Sequence, residues 1–569
     1  MIRSKVSGKA WASGWIFLVI AAGLPPGWGL ALAQPAASRQ ASSTTPRTVE
    51  ELRGQISEWI EHPRFAGARW GMLIQTVDGQ TLFSRDADRT FMPASNMKLY
   101  TTAAALDILG PEARIRTSVW ATRRPTRNGL LVGDLVFQGR GDPNLSPRFQ
   151  EGSPPNYNDL PVASRIPAIE ALADQLAARG IRTIRGNLIA DDSYLPGDLL
   201  GPGWEWDDVQ YYYGAEISAL SVNDNSVTLR VRPARRVGHA AEVEVLPATG
   251  YVRLVNRVET VASGETRIRA SRALNSNTIE LSGTIARAAS PSEVSVAVHD
   301  PALFAATLLR EALARRQIRL LGRVVRVDLG QRALDPIDEK RWMELAGIDS
   351  APVSELIRVV NKQSQNLHAE LLLRVLGRAA VQLPCQEDPF PAEGCEPARP
   401  VNRASTPHLP LDEFGQPLPI LARGNALRRA FLTRAGIDPM QLSLRDGSGL
   451  ARQNLVTPAA TIRLLAFMEN HPHRTVFQES LVIAGVDGTL ERRMRDSAAT
   501  NNFRGKTGTL SYANALSGYL QTRGGHRLLV SLMGNHYVGP GRDVTMVFDQ
   551  ICNLLADYAG ELSVSGGAQ

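Results

Sequence analysis

The chain has 569 residues, 43% of them hydrophobic, three cysteines and a formal net charge of +7. That is enough for roughly two to four domains with ordinary cores and excludes a small disulfide scaffold. The positive charge is spread along the chain with no lysine/arginine block, so no nucleic-acid partner is expected.

In chain order, Arg3, Lys5 and Lys9 precede an apolar stretch from Trp11 to Leu32, broken by Pro25 and Pro26 and closed by Ala31-Leu32-Ala33. Residues 1–33 read as a cleaved secretory signal, with an uncleaved anchor as the alternative that the prolines disfavour. Residues 34–48 form a polar Ala/Ser/Thr-rich leader, and no later segment is apolar enough to span a membrane. The mature protein is therefore expected in the periplasm, at most loosely associated with the membrane. In an oxidising compartment, Cys385 and Cys395 are expected to bridge across a short loop, leaving Cys552 as a buried thiol.

From Arg69 to Ser84 the pattern predicts strand, Asp78-Gly79 turn and strand, delivering a helix that opens at Met92-Pro93-Ala94-Ser95-Asn96-Met97-Lys98 and stops at Gly110. An apolar-periodic run (Met97, Leu99, Ala103, Leu106, Leu109) marks its buried face. Short alternating segments follow, with a helix over 166–178, strand-like runs at 227–231, 241–246, 266–270 and 278–281, a helix over 301–314 and one strand over 319–327. Helices return at 353–360, 367–376 and 457–469. Strands at 503–509, 516–521 and 527–532 and a helix over 544–558 close the chain.

Lysine is scarce: the six are Lys5, Lys9, Lys98, Lys340, Lys362 and Lys506, and arginine carries nearly all the positive charge. Arginine does not give up its proton, whereas lysine can, so lysines in such a chain mark positions where arginine will not serve. Ser95 and Lys98 lie three apart, on one face of the first helical turns, where a lysine can take the serine's proton if its ammonium is desolvated or crowded by another cation. This is the chain's only serine-x-x-lysine. Ser364-Gln365-Asn366 adds a serine-x-asparagine between two helices, and Lys506-Thr507-Gly508 a lysine-threonine-glycine on a strand. Ser221-Val222-Asn223 has the same serine-x-asparagine form but sits in the strand-rich middle. The three motifs, in this order, are the set found in penicillin-binding proteins and class A β-lactamases. Ser448, in the turn Asp446-Gly447-Ser448-Gly449, is a rival nucleophile without a lysine or histidine at a useful spacing, and His368 is expected to pack within its own helix. The sequence has no His-Glu-x-x-His and no glycine-x-serine-x-glycine elbow, so no metal or other cofactor is expected.

Further segments carry a broader likeness: Gly133-Asp134-Leu135 with Gly141-Asp142-Pro143, the run 186–194, Trp204-Glu205-Trp206-Asp207-Asp208, Tyr213-Gly214-Ala215 through Asn223, Asn361-Lys362-Gln363 with Ala369-Glu370, Asp446-Gly447-Ser448-Gly449-Leu450, and Gly485-Val486-Asp487-Gly488-Thr489-Leu490. On these the chain resembles the low-molecular-mass class C penicillin-binding proteins, the D-alanyl-D-alanine carboxypeptidase/endopeptidase group of the penicillin-binding protein 4 type. Gln365 departs from the aspartate that the group often carries there, and little effect is expected.

The resemblance implies an α/β (α+β) fold: a serine β-lactamase/transpeptidase-like domain, with an antiparallel sheet and flanking helices, interrupted by two β-rich inserted domains. The expected division is 49–111 and 341–569 for the transpeptidase-like domain, 112–220 and 296–340 for one insertion, and 221–295 for an all-β module within it. It implies a DD-peptidase acting on peptidoglycan stem peptides and acylated by β-lactams, against two alternatives: a β-lactamase, or a non-catalytic wall-binding protein on the same scaffold. In the implied mechanism Ser95 attacks, Lys98 takes its proton and is crowded by Lys506, Ser364 relays a proton to the leaving amine, and Asn366 fixes Lys98 and the substrate. The backbone N–H groups of Ser95 and Thr509 form the oxyanion hole, and Lys506, Thr507, Gly508 and Thr509 receive the terminal carboxylate. Asp191 could meet a cationic group of the stem peptide or, alternatively, cap a turn at a strand end.

Overall fold

The protein's structure, a computed structural model, describes residues 46–149, 163–327, 332, 337–338, 341–379 and 419–562. The expected signal, most of the leader and the Cys385/Cys395 loop lie outside the described residues.

Helix α1 (Val49–Ile60) opens this part of the chain, with the Thr48 hydroxyl accepting from the Glu51 N–H at its start. Strands β1 (Arg69–Thr76) and β2 (Thr81–Arg85) then form the expected hairpin, and helix α2 (Met97–Leu109) follows. The chain's other end supplies β3 (Val482–Ile483), β4 (Arg504–Leu510), β5 (Ala513–Gln521) and β6 (Arg527–Asn535). Together they make one antiparallel sheet in the order β3-β4-β5-β6-β1-β2, with β1 paired to β6 from Arg69↔Asn535 to Thr76↔Leu528. Alternation along β1 splits its side chains between two cores. Trp70, Met72 and Ile74 pack with α1 and the closing helix, whereas Leu73 packs with α2.

On that second face lie α3 (Val353–Lys362), α4 (Asn366–Ala379), α5 (Ile420–Arg434) and α6 (Pro458–Glu469); α7 (Gly541–Asp557) closes the first face. Every residue of α2 from Met97 to Leu106 is buried, so the one-sided apolar stripe expected from its periodicity is not what forms. A helix surrounded on all sides buries its polar residues too, and these find partners: the Thr101 hydroxyl donates to Gly447 O at 2.7 Å and Thr102 to Lys98 O at 2.7 Å. The sequence gives little sign of α5, because Gly424 and several arginines dilute its apolar face. Those glycines serve the packing instead: a Cβ on Gly424 would stand 2.1 Å from Leu373 O, and one on Gly377 would stand 2.1 Å from Ile420 O, so α4 and α5 cross at backbone contact.

Between α2 and α3 the chain makes the β-rich insertion. Strands at Val324–Arg326, Leu188–Asp191, Leu135–Gln138, Arg116–Ala121 and Met343–Asp349 form a five-stranded mixed sheet in that order, backed by helices Pro167–Ala178 and Pro301–Arg315. Three points correct the sequence reading. The edge strand Met343–Asp349 pairs with Arg116–Ala121, so the insertion returns after residue 340, within what was expected to be the transpeptidase-like part. The single strand expected over 319–327 is two, Arg319–Leu320 and Val324–Arg326, in different sheets. Gly322 lies between them, where a Cβ would meet Gly186 O at 2.2 Å. The strand-rich stretch also contains an unforeseen strand, Arg253–Val261, and its core is continuous with that of the rest of the insertion: Val119, Leu229, Ile285 and Phe304 belong to one cluster. Among the described residues no helix is long and apolar enough to cross a membrane.

Candidate active site

Ala94–Asn96 form one 3-10 turn leading into α2, and Ala94, fully buried, sits in the left-handed region at φ 45°. An L-residue held there is strained, and such residues persist where the surroundings fix them. Here the turn is tied on both sides: the Met92 N–H donates to Asn535 Oδ1 at 2.7 Å, and Asn96 Nδ2 donates to Lys506 O at 3.1 Å. The turn delivers a half-buried Ser95 to a fully buried Lys98.

Lys98 Nζ lies 2.9 Å from Ser95 Oγ, 2.6 Å from Asn366 Oδ1 and 2.7 Å from Ser448 O. The orientation of Asn366 follows from its other end, where Nδ2 donates to Tyr213 O at 2.8 Å. Two of the three neighbours of Nζ are therefore carbonyl oxygens that only accept. A neutral amine has two N–H bonds for them, and its lone pair is left for the serine hydroxyl. Burial is what pushes Lys98 down from its ordinary value to about 7, against the pull of Asp446 and Glu370. Lys506 is lowered as well, by burial first and then by the Lys98 charge, which hold it well below the usual range.

The second motif enters between α3 and α4 with Ser364 at φ 58°, again left-handed. Its Oγ lies 2.9 Å from Lys506 Nζ, which also donates to Thr507 O at 2.8 Å. The structure thus joins Ser95 and Asn366 to Lys98 in one set of bonds and Ser364 and the Thr507 carbonyl to Lys506 in a second, with Asn96 tying the Ser95 turn to the Lys506 carbonyl. Gly508 makes the approach possible, since a Cβ there would stand 2.6 Å from Pro93 O and 3.1 Å from Ser95 N. β3 pairs only with Arg504 and Gly505, so among the described residues no strand covers the edge of β4 from Lys506 to Leu510. Thr509 is exposed on that stretch, its Oγ1 accepting from Asn514 Nδ2 at 3.1 Å.

The sequence did not assign the carboxylates behind the lysine. Glu370, four residues after Asn366 on α4, accepts from the N–H groups of Gly447 and Ser448 through one oxygen, at 2.8 Å each, and from Arg374 through the other at 3.0 Å. Asp446 accepts from Gly449 N at 2.8 Å and Ala451 N at 2.7 Å. These bonds fix the turn that presents the Ser448 carbonyl to Lys98. The rival nucleophile thereby finds its place. Ser448 is fully buried, its hydroxyl is 3.4 Å from the Asp446 carboxylate, and only its carbonyl meets the lysine. The i, i+4 spacing of Asn366 and Glu370 on one helix face was the available signal.

Three other residues behave differently from expectation or more specifically. His368 does not pack only within its helix: its Nε2 lies 3.0 Å from Asp224 of the insertion. Gln365 donates to that same Asp224 carboxylate at 2.9 Å, a bond that an ionised aspartate at 365 could not make. Asp191 is not bonded to any of the motif residues. It is fully buried at the end of its strand, accepts from Ser193 N at 3.0 Å and Ser193 Oγ at 2.6 Å, and is paired with Arg332 at 2.8 Å. This fits the turn cap and leaves no exposed carboxylate for a substrate cation. Cys552 is a free, buried cysteine, and burial raises its thiol above its ordinary value.

A serine whose hydroxyl meets a buried lysine amine is an arrangement that penicillin-binding proteins and class A β-lactamases share. The chain belongs to the D-Ala-D-Ala carboxypeptidase 3 (S13) family, which matches residues 52–388 and 418–556. It is 34% identical over 529 residues to a D-alanyl-D-alanine carboxypeptidase of Actinomadura sp. (strain R39), covering 91% of this chain and 86% of that one. It is 23% identical to the D-alanyl-D-alanine carboxypeptidase DacB of Haemophilus influenzae over 83% of this chain and 86% of that one. The fold matches the crystal structure of penicillin binding protein 4 (dacB) from Haemophilus influenzae with a TM-score of 0.67 at 22% identity, covering 88% of this chain and 99% of that one. The protein is a serine-type D-Ala-D-Ala carboxypeptidase by family.

Proposed function

We propose that Ser95 is the nucleophile that attacks the carbonyl between the two terminal D-alanines of a peptidoglycan stem peptide, with Lys98 as its base. The observation that carries this is the environment of Lys98 Nζ, whose two carbonyl neighbours leave the lone pair for the Ser95 hydroxyl. As the Oγ–C bond forms, the serine proton passes to Nζ, and the N–H groups of Ser95 and Thr509 stabilise the oxyanion. Collapse breaks the C–N bond. The proton that Lys98 received passes through the Ser364 hydroxyl, held 2.9 Å from Lys506 Nζ, to the leaving amine, and D-alanine departs with Lys98 neutral again. Water, deprotonated by Lys98, then cleaves the Ser95 ester and releases the shortened peptide. Lys506, Thr507, Gly508 and Thr509 receive the terminal carboxylate. The open edge of β4 gives the peptide a backbone to lie along. The same steps cleave a D-alanyl cross-link, which makes an endopeptidase activity part of this reading, and a β-lactam acylates Ser95 in place of the substrate. The amino-terminal 33 residues direct the protein to the periplasm.

Incubation with a diacylated-lysyl-D-alanyl-D-alanine peptide, followed by quantitation of the free alanine released, of either configuration, tests the reading. Release from the D,D peptide and none from the D-alanyl-L-alanine isomer is expected. Equal release from both, or none from either, overturns it.

A further inference from the structure

The loop Gly485–Leu490 has no part in the mechanism above, yet its Thr489 hydroxyl lies 2.7 Å from the Thr507 hydroxyl. Thr489 is exposed, so this contact is not the by-product of core packing. The loop is held where it is by a lysine. Lys362, the last residue of α3 and two before Ser364, is buried, and its Nζ donates to Asp487 Oδ2 at 2.5 Å and to Leu481 O at 2.8 Å. Asp487 Oδ1 in turn accepts from Ile483 N at 2.8 Å, which closes the loop. Gly488 seats it on the end of α3, since a Cβ there would stand 2.5 Å from Lys362 O. Lys362 is thus one of the chain's rare lysines with a defined task. It couples the helix that ends at the second motif to the loop that touches the third.

We infer that Thr489 is a specificity-determining residue for the substrate's terminal carboxylate, acting by orienting the Thr507 hydroxyl. A hydroxyl carries one proton and two lone pairs. If Thr507 spends its proton on another acceptor, it offers a carboxylate only a lone pair, which repels it. With Thr489 donating into Thr507 Oγ1, the Thr507 proton is free to point at the incoming carboxylate, and the two bonds polarise one another. The anion completes a chain that Thr489 begins and that the Lys362–Asp487 pair holds in place. This rests on the assignment of Thr507 to the carboxylate.

The test compares wild type, Thr489→Val, Thr489→Ser and Thr507→Val on two substrates: a D-alanyl-D-alanine peptide with a free terminal carboxylate, and its terminal amide. Thr489→Val keeps the shape and removes the hydroxyl. It is expected to raise KM for the free acid by roughly three- to tenfold, on the scale of one hydrogen bond between neutral groups, with kcat nearly kept. The amide should be unaffected, and Thr489→Ser should restore the wild-type KM. Equal losses on acid and amide, no loss at all, or no rescue by serine would overturn the inference, provided that Thr507→Val shows the acid-specific loss. If Thr507→Val shows none, the carboxylate assignment itself falls and takes this inference with it. Unchanged melting temperatures for the variants separate both results from misfolding.

Discussion

Lys98→Arg is expected to acylate with benzylpenicillin roughly 10²–10⁴-fold more slowly than wild type, the range lost when a positioned general base is removed. Arginine keeps the positive charge and hydrogen-bonding capacity but cannot shed a proton, so it separates the lysine's electrostatic role from its role as base. Because the site is fully buried and a guanidinium is bulkier, Lys98→Met serves as a smaller companion that also lacks a base. The pH dependence supplies the second half of the result. With Lys98 lowered to about 7 by burial, the neutral amine is the majority form above that pH and the minority below it. Wild-type acylation should therefore rise with pH through about 7 and level off above, and both variants should lose that limb. Stopped-flow acylation rates across the pH range check this. A wild-type rate that is flat from the acid side to neutrality, or near-normal acylation by Lys98→Arg, would mean that the base lies elsewhere.

Asp224→Ala is expected to destabilise the fold by about 3–5 kcal/mol, because it leaves a buried guanidinium without its partner. Asp224 takes Arg148 at 2.7 Å, His368 at 3.0 Å and Gln365 at 2.9 Å, and both Asp224 and Arg148 are almost wholly buried. Burial works against its charge, but the Arg148 guanidinium and His368 outweigh that and hold its carboxyl far below the usual carboxylate range. The sign follows from that direction. A carboxyl depressed in the folded state contributes stability that is fully present above its unfolded value near 3.9 and is lost as pH falls below it. Thermal unfolding of wild type and Asp224→Ala at neutral pH, and again below pH 4, should show a large gap that narrows in acid. A gap that is absent at neutral pH, or that widens in acid, would contradict the role assigned to the cluster. Because Gln365 and His368 flank Asn366, the same variant should also blur the second motif and slow acylation.

The sequence made the three motifs and most elements visible for physical reasons. The hairpin at Asp78-Gly79 announces itself through turn chemistry, and a lysine in an arginine-biased chain points to a place where a proton must move. Periodicity failed where packing overrode it. α2 is wrapped on all sides, so its apolar stripe carries no information about its burial. α5 was hidden because the glycine that makes its sequence look unlike a helix is what lets it touch α4. The strand Met343–Asp349 belongs to the insertion only through its pairing with residues more than two hundred positions earlier, which no local pattern reports. In the site, Ser95, Lys98, Ser364, Asn366 and Lys506 could be named from spacing and order. Whether desolvation takes hold of the lysine could not, because burial is a property of the fold. Nor could the support from Glu370, Asp446 and Asp224, whose partners lie across the chain. For Asp191 the modest reading, a turn cap, matched the structure better than the functional one.

The most direct measurement is the intact mass of the protein after exposure to benzylpenicillin, with Ser95→Ala as the control. A single covalent adduct of one benzylpenicillin on the wild type, persisting over the time of the assay and absent from a folded Ser95→Ala variant, is the predicted result. An adduct that survives in Ser95→Ala, or a wild type that remains unmodified, would contradict Ser95 as the nucleophile. Rapid disappearance of the adduct with turnover of the antibiotic would instead make the protein a β-lactamase.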